Sequence, residues 1–111
     1  MKKVYISGKI SGLEESVYTA KFQEAEDKLT ALGFEVVNPV KIVHNHDNSW
    51  LSFMRQDLKA MLDCDGIYML DNWMYSKGAK IEHDLCVSLG ISSWYESEES
   101  IDPIPRYLPS K

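Results

Sequence analysis

The sequence predicts an α/β fold built on a parallel sheet, on three observations. Apolar runs of strand length alternate with helical apolar stripes as far as Tyr95. Glycine or an Asn-Pro pair sits where several of these units must end. The chain has 111 residues, enough for one domain around one sheet. Strands that alternate with helices favour parallel pairing with right-handed crossovers.

Each element has its own signal. Val4-Tyr5-Ile6 is β-branched and aromatic and ends at Ser7-Gly8, a first strand running into a glycine-bearing loop from Gly8 to Gly12. Tyr18, Phe22, Ala25, Leu29 and Leu32 then recur at steps of four, three, four and three, a helical stripe that Gly33 stops. Phe34 to Val37 reads as a second strand, closed by Asn38-Pro39. The polar segment from Val40 to Ser49, with His44 and His46, reads as a loop. Ser49 or Asn48 caps a helix carrying Leu51, Met54, Leu58, Met61 and Leu62. Asp65 precedes a third strand, Gly66 to Leu70. A polar loop then leads to Gly78-Ala79, which opens a helix marked by Ala79, Leu85, Cys86 and Leu89 and ended by Gly90. Ile91 to Tyr95 makes a fourth strand. Residues 1–96 therefore form the domain, and residues 97–111, with Pro103, Pro105 and Pro109, read as an irregular tail. The expected architecture is a flavodoxin-like, Rossmann-like three-layer sandwich with a four- to five-stranded parallel sheet.

Composition narrows the function. The net charge is −5 and the acids are spread along the chain. A nucleic acid polymer is therefore not an expected partner, because phosphate neutralisation needs clustered Lys and Arg. A small phosphorylated ligand needs only a few local donors and stays open. Cys64 and Cys86 lack metal-type spacing and sit among apolar residues, as buried free thiols of a reducing compartment do. The start of the chain has no signal-peptide pattern, and no apolar run reaches transmembrane length. A cytoplasmic protein with no membrane partner, no cofactor and no metal is the expectation.

In a parallel sheet the strand C-terminal ends share one edge, where ligands bind. Three loops should meet there: Ser7 to Gly12, Asn38 to Ser49 and Asp71 to Gly78. Gly8, Gly12 and the N–H groups between them can cradle an anion, with Lys9 adding charge, or they are plain turn residues. The stretch Ser76-Lys77-Gly78-Ala79-Lys80-Ile81-Glu82 places a carboxylate about one turn into the third helix. Glu82 is then either a nucleophile or general base, or an acid that merely suits the helix dipole. A Glu so placed is expected to stay ionised. Asp71 can hold sugar hydroxyls or assist a leaving group, and Trp73 and Tyr75 can stack on a flat ring; a turn with an aromatic lid is the plainer alternative. Asp57 lies mid-helix beside apolar residues, at the site edge or, as is usual for helical acids, in solvent. His83 adjoins Glu82 but projects about 100° away around the helix.

Several of these residues resemble a known group. Tyr5-Ile6-Ser7-Gly8-Lys9-Ile10-Ser11-Gly12 resembles the Tyr-x-x-Gly-x-Ile-x-Gly opening of the 2'-deoxynucleoside 5'-monophosphate N-glycosidases, in the nucleoside 2-deoxyribosyltransferase-like superfamily. Ser76-x-Gly78-x-x-x-Glu82 resembles their Ser-x-Gly-x-Gly-x-Glu loop, and Asp57 with Asp65 matches the same pattern. Over residues 3–95 the chain is still more similar to a family of small uncharacterised phage and bacterial domains (of the DUF4406 type), often described as deoxyribosyltransferase-like. The resemblance implies N-glycosidic cleavage or transfer on a deoxynucleoside or its 5'-monophosphate. It implies Glu82 as nucleophile, Tyr5 orienting it, and Asp71 near the acid that assists the leaving base. Gly8, Lys9, Ile10, Ser11, Gly12, Ser76, Lys77 and Gly78 would hold the 5' end, with Asp57 and Trp73 also at the substrate. It also implies a homodimer. Two departures stand out. Ser11 replaces an Arg of the glycosidases, leaving phosphate charge to Lys9 or Lys77. Lys80 replaces a small residue and is expected to crowd the site. A nucleotide-binding or sensing module without efficient turnover is the alternative.

Overall fold

The computed structural model describes residues 2–98. Its sheet has four strands: β1 (Lys3–Ser7), β2 (Glu35–Val37), β3 (Gly66–Met69) and β4 (Ser92–Tyr95). They run in the order β2-β1-β3-β4, and every pairing is parallel. The helices are α1 (Glu15–Ala31), α2 (Trp50–Leu62) and α3 (Lys77–Leu89). The fold is thus α/β with an all-parallel sheet, compatible with a flavodoxin-like three-layer sandwich. Among the described residues no helix is long and apolar enough to cross a membrane. The tail expected over residues 97–111 starts within a 3-10 turn, Glu96–Glu98, and otherwise lies outside the described residues.

Alternation along β1 divides the interior into two cores. Val4 and Ile6 pack with Phe22, Ala25 and Leu29 of α1. Tyr5 packs on the opposite side with Met61 of α2, Ala79 and Cys86 of α3, and Ile67 and Met69 of β3. Cys64 belongs to this second core as well; both cysteines are buried, and burial pushes the Cys64 thiol up to about 12.

The helix ends follow the signals in the sequence. Ser49 Oγ accepts from the Ser52 N–H at 3.2 Å, and Ser76 Oγ accepts from the Ala79 N–H at 3.1 Å. Gly90 ends α3 in the left-handed region at φ 78°. Gly8 answers to a different constraint. A Cβ there would lie 2.7 Å from Leu70 Cδ1, so the loop after β1 passes too close to the end of β3 for any other residue.

The strand order sets where the site lies. From β1 the chain crosses to β2 on one side, then returns past β1 to β3 on the other. Beyond the carboxyl ends of β1 and β3 the connections diverge to opposite faces, which opens a crevice there.

Candidate functional site

A cavity of about 510 Å³ occupies that crevice. Tyr5, Ser7 and Glu82 line it, together with the loop from Gly8 to Ser11, the segment from Tyr75 to Ala79, and Trp50, Phe53, Met54 and Asp57 of α2. Tyr18 and Phe22 of α1 and Pro39 also reach it.

Glu82 is the centre of the arrangement. It is only 5% exposed. Tyr5 donates its hydroxyl to Oε2 at 2.8 Å, and Ser7 donates its hydroxyl to Oε1 at 2.6 Å. Two strand residues two positions apart point to the same side of the sheet, so β1 supplies one donor for each carboxylate oxygen. Ser76 caps α3 at its N–H groups, and Glu82 falls on the face of that helix that meets β1, beside Ala79 and Cys86. Burial pushes the Glu82 carboxyl up to about 7, against the opposing pull of the Ser7 and Tyr5 hydrogen bonds; the Asp57 charge raises it further. Burial, then the Glu82 charge, holds the Tyr5 phenol well above its ordinary value. Tyr5 therefore remains a donor at any ordinary pH.

These facts correct one expectation. Glu82 lies about one turn into α3, as the spacing predicts, but it does not simply stay ionised, because desolvation outweighs its two hydrogen bonds.

Asp57 is the second carboxylate on the cavity. It is not solvated: its side chain is 16% exposed, and its Oδ1 is buried without a hydrogen-bond partner. Burial pushes it up to about 6, with His46 pulling the other way. α2 turns Met54, Asp57 and Met61 toward the interior at steps of three and four, which carries an acid into an otherwise apolar stripe.

The remaining expected residues divide. Gly8, Lys9, Ile10, Ser11, Ser76, Lys77 and Gly78 line the cavity. Lys9 donates its Nζ to the Tyr75 carbonyl at 3.1 Å, and its backbone N–H donates to Asn72 Oδ1 at 3.0 Å. Lys77 Nζ lies 4.7 Å from the centroid of the Trp50 ring. Gly12, Asp71 and Trp73 are not among the lining residues. Gly12 takes the left-handed conformation at φ 85°. Asp71 pairs with Lys21 of α1 at 2.8 Å. Trp73 packs on His83, with ring centroids 4.3 Å apart. The short turn Trp73–Tyr75 sends these side chains away from the cavity while it delivers Ser76 to it. His83 is indeed turned from Glu82; its Nε2 lies 2.6 Å from the Tyr95 hydroxyl. Lys80 is exposed and does not line the cavity, so it does not crowd the site.

Two features go beyond the sequence expectation: Ser7 as a donor to Glu82, and Trp50, Phe53 and Met54 as a wall of the cavity. The signal for Ser7 was its two-residue spacing from Tyr5. The wall depended on which face α2 presents, which the stripe alone does not fix.

Comparison with known proteins adds one finding. No curated protein matches the chain. A family model described as "Domain of unknown function (DUF4406)" matches residues 2–95, from just before β1 to the end of β4, and so takes in every residue that lines the cavity. The chain belongs to the DUF4406 family.

Proposed function

We propose that this protein cleaves, or transfers across, the N-glycosidic bond of a deoxynucleoside or deoxynucleoside 5'-monophosphate, with Glu82 as nucleophile. The observation that carries this is the buried Glu82 carboxylate on the cavity, with a separate hydroxyl donor on each oxygen. Such a group is fixed in orientation and excluded from bulk water. It can trap an oxocarbenium-like sugar as an ester while the base departs. Asp57, the other carboxylate on the cavity, takes the role of acid to the leaving base in place of Asp71, which Lys21 holds. Water, or a second base, then releases the sugar. The aromatic wall of Trp50 and Phe53 suits a planar base. The exposed Lys77 and the loop lysine Lys9 suit a 5'-phosphate. The protein acts in this account as a cytoplasmic homodimer, with Val87 and Leu89 of α3, each 57% exposed, available to a second copy; light scattering that gave the mass of one chain would remove the dimer.

The pH dependence follows. The nucleophile is ionised above about 7, and the acid is protonated below about 6. Their product peaks between these values, so kcat/KM is expected to be bell-shaped with its maximum there. Incubation with a panel of deoxynucleosides and their monophosphates should release free base from at least one. Glu82→Ala should abolish that release, by about a thousandfold or more, on the scale of losing a covalent nucleophile, with an unchanged circular dichroism spectrum. Wild-type turnover in Glu82→Ala would exclude the assignment.

One observation favours a second reading, a binding or sensing module. A carboxyl pushed up to about 7 is largely neutral on the acid side of neutrality, and a neutral carboxyl holds a ligand hydroxyl without attacking it. Tight binding of a panel member with no base released would select this alternative.

A further inference from the structure

Beside the cavity, the loop that follows β2 carries two imidazoles in a hydrogen-bonded row. His46 Nδ1 lies 2.5 Å from the Asp47 carbonyl oxygen, and His46 Nε2 lies 2.6 Å from His44 Nδ1. His44 Nε2 in turn lies 3.8 Å from Asp57 Oδ1, the buried oxygen that lacks a hydrogen-bond partner. The side chains of His44 and Asp57 are 18% and 16% exposed. Phe53 of α2 fixes both rings, with centroids 4.6 Å from His44 and 4.7 Å from His46.

The chemistry of the row sets the tautomers. A carbonyl oxygen only accepts, so His46 carries its proton on Nδ1 and presents a lone pair at Nε2. That lone pair accepts from His44 Nδ1–H. Neutral His44 must then turn a bare Nε2 toward Asp57. A basic nitrogen and a carboxyl oxygen thus face each other at charge-pairing distance, away from bulk water. Burial draws both groups toward their neutral forms: Asp57 up to about 6, and His44 below its ordinary value, with His46 adding to the effect.

We propose that His44 is a positioning residue for Asp57, and that one proton serves the pair, carried either by His44 Nε2 or by Asp57 Oδ1 across the 3.8 Å between them. Resting on the glycosidase reading of the cavity, the pair supplies and recovers one proton per turnover. As the C–N bond breaks, its electron pair goes to the base nitrogen, which takes the proton from Asp57. Water then opens the sugar ester on Glu82; its oxygen bonds to the sugar, and the proton it loses returns to Asp57 or to His44 Nε2. The pair ends as it began. The other titratable groups facing Asp57 are Glu82 from α3 and Tyr5 from β1, with His46 from the loop. Glu82 and Tyr5 are unchanged in the variants below, so they do not create a difference between them.

Nuclear magnetic resonance titration of the ligand-free, full-length protein tests this without any turnover, so a failed glycosidase reading and a failed proton pair give different results. The His44 ring midpoint should fall by about one pH unit in Asp57→Asn, the loss expected on removing an adjacent opposite charge. It should stay put in Asp71→Asn. A shift of less than about 0.3 unit in a folded Asp57→Asn protein, on the scale of that same charge effect, overturns the pair. If Asp57→Asn does not fold, the wild-type protein decides. The Asp57 carboxyl carbon should then show two inflections, one coincident with His44. A single inflection in each curve, at unrelated pH values, overturns the pair. With an active substrate, His44→Gln should displace the acid limb of the pH profile set by Asp57 and leave the Glu82 limb in place.

Discussion

The two faces of β1 are built from adjacent residues and behave as different materials. On the α1 side Val4 and Ile6 meet Phe22, Ala25 and Leu29, and the core is hydrocarbon. On the α2 and α3 side Tyr5 and Ser7 meet a buried carboxylate, and a second carboxylate is held nearby without a hydrogen-bond partner on its buried oxygen. One strand serves both because side chains alternate. The first face is built for stability. The second carries desolvated charge, a cost that proteins tend to retain where the group is used.

Substitutions on the two faces should therefore differ in kind. Leu29→Ala, in the α1-side core and away from the cavity, should cost about 2–5 kcal/mol of stability, as leucine truncations in cores do, read by denaturant unfolding. Ser7→Ala should cost about 1 kcal/mol or less, the worth of a single hydrogen bond, yet reduce base release about tenfold or more, as loss of an oriented donor does. It should also move the Glu82 limb of the pH profile upward, because the Ser7 hydrogen bond lowers that pKa. Equal stability losses on the two faces would break the contrast.

Glu82→Gln sharpens it. Folded Glu82 keeps its proton to about 7, against an ordinary value of 4.5. Between those values the folded state binds more protons than the unfolded state, so stability falls as pH rises through the window. The full cost above it is roughly 3 kcal/mol. Glu82→Gln removes that slope. Near pH 8 it should unfold at higher denaturant than wild type, and near pH 4 at about the same concentration. Asp57 contributes a slope of the same sign, but it is present in both proteins. A variant less stable than wild type near pH 8 would mean that the carboxylate is a net structural asset.

The smallest effect concerns the mouth of the cavity. Lys9 is held by the Tyr75 carbonyl and Lys77 by the Trp50 ring, so each must leave a partner to meet a phosphate. Charges at or near the surface of this sort are worth about 0.2–1 kcal/mol apiece. Lys9→Ala with Lys77→Ala should weaken a monophosphate only several-fold by calorimetry and leave the nucleoside unaffected. Equal affinity for both ligands, unchanged in the double variant, would favour recognition of the nucleoside.

Much of this was legible in the sequence. The strand-helix alternation gave the sheet, Ser49, Ser76 and Gly90 marked helix ends by local chemistry, and the loop before Glu82 pointed to the carboxylate. What was not legible depended on packing between elements. The stripe of α2 left Asp57 ambiguous, since burial of a helical acid depends on what covers its face. Asp71 and Trp73 are close in sequence to Ser76, but the turn over Trp73–Tyr75 commits them to Lys21 and His83. Lys80 stands outside the cavity because its side chain follows the exposed face of α3.

The most direct test of the nucleophile is to trap it. The protein should be mixed with the best substrate of the panel, quenched in acid within a turnover, digested and read by mass spectrometry. The account predicts a deoxyribosyl ester on the peptide that contains Glu82, absent in Glu82→Gln. Base release with no adduct, or an adduct on another residue, would contradict it.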